Sequence, residues 1–112
     1  MNLKTFSEVL NLAETQLPIA LYENKVYLDC LRKFVSKLRK KLIHLGVKTV
    51  HLEMFYLTAE VQSKLISVVH SCVKRVYQAS ETEFETFLQV VAEELREFIT
   101  RYLSSVPTEW QN

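Results

Sequence analysis

Hydrophobic positions recur along this chain at steps of three and four, the period of a helix that buries one face. Near the start, Leu3, Phe6, Val9, Leu10, Ala13 and Leu17 fall on one side at about 100° per residue. Thr5-Phe6-Ser7-Glu8 reads as a capping box, in which the Thr5 hydroxyl accepts the Glu8 amide and the Glu8 carboxylate accepts the Thr5 amide. The spacing predicts a short first helix that Pro18 stops, because the residue before a proline resists the α conformation. A second helix is predicted from Asn24 to Leu45, carried by Tyr27, Leu31, Phe34, Val35, Leu38, Leu42 and Leu45. Gly46, the single glycine, stands where a left-handed residue releases the chain from a helix.

Thr58 is a good N-cap for a third helix, with Glu60 in its first turn and apolar positions Val61, Leu65, Ile66, Val68, Val69, Cys72, Val73 and Val76. Ala79 and Ser80 separate it from the fourth helix, a connection short enough to predict an antiparallel hairpin of the two. Ser80-Glu81-Thr82-Glu83 is a second capping box. The fourth helix has the clearest stripe, Phe84, Leu88, Val91, Leu95, Phe98 and Tyr102, flanked by Phe87, Ile99 and Leu103. Phe84, Val91, Leu95 and Phe98 are expected in the core. After Pro107 the tail carries Trp110, which either folds back or meets a partner.

Between the second and third helices, seven of the eleven residues from Val47 to Leu57 are apolar. Val47, Val50, Met54 and Leu57 match a short helix, while Val50, Leu52, Met54 and Tyr56 match a strand. A strand needs a mate, and no other segment offers a clear one, so the extended reading implies pairing with another chain. A short helix or a packed extended crossover is the favoured form. Val50, Leu52, Phe55 and Tyr56 cannot all face one side of either, so these four are the candidate interface, with a homodimer as the expected assembly.

The expected fold is all-α: a four-helix bundle with an additional short helix or extended segment between helices two and three, as one domain over residues 1–112. Composition agrees. The chain has 48% hydrophobic residues, 14 Lys+Arg against 13 Asp+Glu, one Gly and two Pro, which argues against disorder and against an all-β fold rich in tight turns. Ser7, Glu8, Asn11, Glu14 and Thr15 interrupt any export signal, and no apolar run approaches the length that crosses a bilayer. Cys30 and Cys72 lie in apolar helical surroundings and are expected as reduced thiols in a cytoplasmic protein.

The near-neutral total hides an asymmetry. Residues 25–75 carry 11 basic and 3 acidic side chains, and residues 76–112 carry 2 basic and 7 acidic. Arg32, Lys33, Lys37, Arg39, Lys40 and Lys41 crowd the polar face of the second helix, and Glu81, Glu83, Glu85, Glu93, Glu94 and Glu97 that of the fourth. Three readings are open: solvated faces with rim ion pairs, a phosphate-binding surface for nucleic acid, or complementary docking faces. No aromatic stands among the cations to stack a base.

Catalytic signals are sparse. Arg39 and His44, with four residues between them, have the spacing of an Arg-(four to six)-His motif and in that respect resemble HEPN ribonucleases, which are small helical domains. The resemblance covers these two positions and implies RNA cleavage by the pair; Lys40 stands where that family usually has Asn, Asp or His. His44, His51 and His70 are widely separated, and no Glu-x-x-His pair occurs, so neither a metal nor another cofactor is expected. His70 reads as a boundary histidine and Cys72 as a buried thiol, and one glycine excludes a phosphate loop or a serine elbow. The sequence thus leads to a non-catalytic interaction module, a subunit, adaptor or regulator working through protein contacts, with no identifiable small-molecule site. The alternatives are a nucleic-acid-binding subunit and a HEPN-like ribonuclease.

Overall fold

The computed structural model describes residues 3–17, 21 and 23–105, with side chains through residue 102. Pro18, the Leu103 side chain and the tail with Pro107 and Trp110 lie outside the described residues. The elements in order are β1 (Lys4–Thr5), α1 (Phe6–Ala13), α2 (Lys25–His44), α3 (Thr49–Met54), β2 (Tyr56–Leu57), α4 (Ala59–Val76) and α5 (Glu81–Ser105). The fold is all-α, and its four longer helices are those the periodicity predicts, with α3 as the additional short one.

The ends of the helices follow local chemistry. Thr5 caps α1 as a full box: its hydroxyl accepts the Glu8 amide at 3.2 Å, and the Glu8 carboxylate accepts the Thr5 amide at 3.0 Å. α1 ends at Ala13, earlier than the periodicity implies. The amides of Glu14 and Thr15 turn back to the carbonyls of Asn11 and Leu12, three residues behind, so the last turn tightens and the helix stops while Leu17 still packs on the core. Asn24 and Thr58 cap α2 and α4 through their side-chain oxygens. At the end of α2, Gly46 has φ +100°, its amide donates to Ile43, and the Val47 amide donates to Leu42. That pair of bonds is a Schellman motif, with Val47 and Leu42 both buried beside it.

The segment after Gly46 combines the two forms the sequence offered. α3 gives a turn and a half of helix, and β2 then pairs antiparallel with β1, Lys4 opposite Leu57 and Thr5 opposite Tyr56. The strand's mate is therefore the chain's own N-terminus, hidden from sequence pattern because β1 is only two residues long. Leu52 points into the core from α3, and Leu57 does so from β2.

The core is built on α2, whose Tyr27, Leu31, Phe34, Leu38 and Leu42 are completely enclosed. α1 packs chiefly on α4, and α2 packs on both α4 and α5. Edge-to-face ring contacts join Tyr27 to Tyr77 and Phe34 to Phe84. His70 of α4 donates from Nε2 to the Ala13 carbonyl at 2.7 Å, because a carbonyl can only accept, and so closes the C-terminal end of α1. The expected hairpin of α4 and α5 is looser than its short connection suggests. α5 leans on α2, held by Phe84 against Phe34 and by ion pairs from its first turns, and leaves an open seam beside α4. Phe84 and Val91 are buried as expected, but Leu95 is half-buried and Phe98 is 39% exposed.

Candidate interaction surface

The six cations of the predicted basic face do not form a free surface. Lys33 pairs with Glu81 at 3.6 Å, and Lys37 pairs with Glu85, joining the middle of α2 to the first turns of α5. The Lys37 ammonium, with Lys33 and Lys41 behind it, holds the Glu85 carboxyl below its usual range. Lys33 also stands 4.7 Å over the Phe84 ring, which fixes its stem against the helix it pairs with. Arg39 turns the other way, pairing with Glu53 of α3 and donating to the Ser7 hydroxyl of α1 at 3.3 Å. Arg32, Lys40 and Lys41 make no ion pair among the described residues. Half of the cations on the α2 face are thus engaged in holding the chain's own helices together.

Arg39 and His44 are five positions apart, so they leave α2 on different sides, about 140° from each other. Arg39 is pinned between α1 and α3, whereas His44 opens onto a depression between α2 and α5 with Lys37, Lys40, Lys41, Glu85 and Leu88. The structure does not bring the two together. His51 lies edge-on against Phe55, and burial with Lys48 nearby lowers its pKa. No group of three or more His, Cys, Asp or Glu that could hold a metal occurs among the described residues. Both cysteines are free thiols; Cys72 is buried and Cys30 only partly so. Burial raises both pKa values, which keeps the thiols protonated and weakly nucleophilic.

Of the four candidate interface residues, Val50 and Tyr56 are exposed. Leu52 and Phe55 are not: Leu52 is fully enclosed and Phe55 only 7% exposed. The alternation of inward and outward positions across α3 and β2 divides the four, and β1 together with α1 covers the inward ones. Tyr56, 56% exposed, belongs instead to a different surface, since its carbonyl accepts the Tyr102 hydroxyl at 2.8 Å and Tyr102 stacks with Phe98.

That surface is the seam between α4 and α5. At its start the Arg75 guanidinium lies 5.2 Å over the Phe87 ring, in a depression that also includes Val76, Ala79, Glu83 and Val90. Tyr56 with Tyr102 closes the far end. Val68 on the α4 rim is 43% exposed and Val90 on the α5 rim 46%. The sequence reading placed Phe98 in the core as part of its helix's central stripe and Val68 within a broad apolar arc, and period alone does not say how closely the next helix approaches either. An available signal was the seven-residue step from Glu83 through Val90 to Glu97, which places a valine in a charged stripe.

No helix among the described residues is long and apolar enough to cross a membrane. Comparison with protein-family models, with curated proteins and with solved structures finds no match to this chain.

Proposed function

We propose that this chain is a non-catalytic helical interaction module, a small cytoplasmic subunit or regulator that works through protein contacts. The observation that carries this reading is the seam: Val68, Val90 and Phe98 line its two rims in water, with half-buried Phe87 between α4 and α5. Aligned apolar side chains held out by rigid helices mark surfaces that another protein covers. The remaining features support the same reading. The arginine of the one ribonuclease-like pair is engaged in a structural ion pair, and half of the cations proposed for nucleic acid are tied to carboxylates of the same chain.

A photoreactive phenylalanine analogue placed at position 90, and separately at position 40, tests the reading in living cells. Protein adducts from position 90, abolished by Phe98→Glu, are the expected outcome. Nucleic-acid adducts from position 40 with none from position 90 would replace the reading by the nucleic-acid one.

A further inference from the structure

Apart from the seam, we infer that the depression between α2 and α5 is a binding site for a small molecule carrying a diphosphate or similarly charged phosphate group. The order of side chains on the two helices creates it. From the Lys33–Glu81 pair to the Lys37–Glu85 pair both helices advance by four residues, so α2 and α5 run parallel. Continued by three and then four, the steps that keep to one helix face, α2 supplies Lys40 and His44 while α5 supplies Leu88 and Ala92, both buried. The cations of α2 thus continue after the carboxylates of α5 have ended. At that place Lys37, Lys40, Lys41, His44, Glu85 and Leu88 line a depression of about 350 Å³. Sites for small ligands span ~300–1,000 Å³.

The lining holds three lysines and a histidine against one carboxylate, and that carboxylate, Glu85, already accepts from Lys37. Lys40 and Lys41 make no ion pair among the described residues. Nor does the end of α2 need them as caps. The amides of Leu45, Gly46 and Val47 donate to the carbonyls of Lys41, Ile43 and Leu42, so backbone groups satisfy those acceptors of the last turn. Lys40 and His44 are exposed and Lys41 is half-buried beside them. From Lys40 to His44 the helix rises about 6 Å, a span that a single multiply charged anion lying along α2 can bridge. Ammonium groups hold phosphate as point charges, which suits a site without a rigid fork of donors. The free stretch is short because Lys33 and Lys37, one and two turns back, are closed off by their glutamates. That favours a small ligand over a nucleic-acid strand, whose backbone needs a longer row of unpaired cations.

Proton NMR of the full-length chain, titrated with inorganic pyrophosphate at constant ionic strength, tests the site, because His44, His51 and His70 are its three histidines and stand on three different helices. The His44 ring signals should move and saturate at one pyrophosphate per chain, with those of His51 and His70 in place. Lys40→Ala with Lys41→Ala should weaken binding by about tenfold or more, since each change removes a charge-assisted contact. Lys64→Ala with Lys74→Ala alters net charge equally on α4 and should leave the affinity unchanged. Glu85→Gln removes the one carboxylate of the lining and releases Lys37, so it should tighten binding several-fold. Circular dichroism of each variant confirms that the helices are retained. A titration with adenosine diphosphate separates the two sources of the group: tighter binding than pyrophosphate assigns a phosphate ester, and equal or weaker binding the inorganic ion. Shifts that never saturate, that all three histidines share, or that the α4 pair of substitutions weakens as much as the α2 pair, overturn the proposal. A single-stranded RNA that moves His44 where pyrophosphate does not overturns it in favour of a polynucleotide.

Discussion

At the scale of single residues, burial separates positions that the heptad-like stripe of α5 treats alike. Leu88 is enclosed against α2, whereas Leu95, two turns further along the same face, is half-buried. Leu88→Ala should therefore cost about 2–5 kcal/mol, the range for an enclosed leucine, and Leu95→Ala clearly less, as read from urea midpoints. Equal losses would mean that Leu95 is as fully enclosed as Leu88 in solution. Two carboxylates make stability depend on pH. The Thr5 amide and hydroxyl lower the pKa of Glu8, and the Lys37 hydrogen bond lowers that of Glu85. A carboxyl whose folded pKa is depressed contributes stability that is full above its ordinary value and is lost as pH falls through the folded one. Urea midpoints should thus fall as pH drops below about 4.3, and Glu85→Gln should be less stable at neutral pH with a gap that narrows in acid. A gap that stays constant from neutral to acid pH would show that the carboxylate charge is not what ties α2 to α5. Glu8 was legible in the sequence because its partner is three residues away. Glu85 was not, since its partner lies 48 residues off and only the packing of α5 on α2 selects it.

Among elements, what could be read from the chain was whatever is decided within one helical turn. Caps at Thr5, Asn24 and Thr58 and the stop at Gly46 stand where their short-range chemistry puts them. At Ser80 the hydroxyl accepts the Glu83 amide, as a cap should, while the return bond runs from the hydroxyl to the Glu83 carboxylate. The pairing of β2 with β1 escaped notice because two-residue strands carry no periodicity, and their register follows from where α1 and α4 meet. With that pairing in place, Phe55 belongs to the fold, so Phe55→Glu would damage the core and report nothing about assembly. Gly46 offers a clean test of the α2 stop. A Cβ there would meet nothing within 4 Å, so the cost of Gly46→Ala is the left-handed backbone alone. The expected loss is about 1 kcal/mol, with the helical spectrum retained. A neutral result would show that the α2 terminus can relax out of the Schellman geometry.

For the whole molecule, the question is what remains of its charge once the fold has used its share. Sequence alone shows a cationic second helix and an anionic fourth, but not that they face each other, since that depends on α5 choosing α2 over α4. Three of the six cations on the α2 face are held by Glu81, Glu85 and Glu53, which leaves Arg32, Lys40 and Lys41 to meet an external polyanion. Binding to duplex DNA releases close to one counterion per phosphate neutralised, so three free cations limit the slope of log affinity against log salt to about 3 in magnitude. The expected titration is weak, independent of sequence, and no steeper than that. Releasing the tied cations by Glu53→Gln, Glu81→Gln and Glu85→Gln together should steepen it toward about 5, because Lys33, Lys37 and Arg39 then become available. An unaltered chain that already shows the steeper slope would mean that the ion pairs yield to phosphate, and would return the α2 face to the role of a nucleic-acid surface. A shallow slope that steepens only in the triple variant places those cations where the geometry has them, as the fastening between α2 and its neighbours, and leaves the seam on the far side of α5 as the surface open to partners.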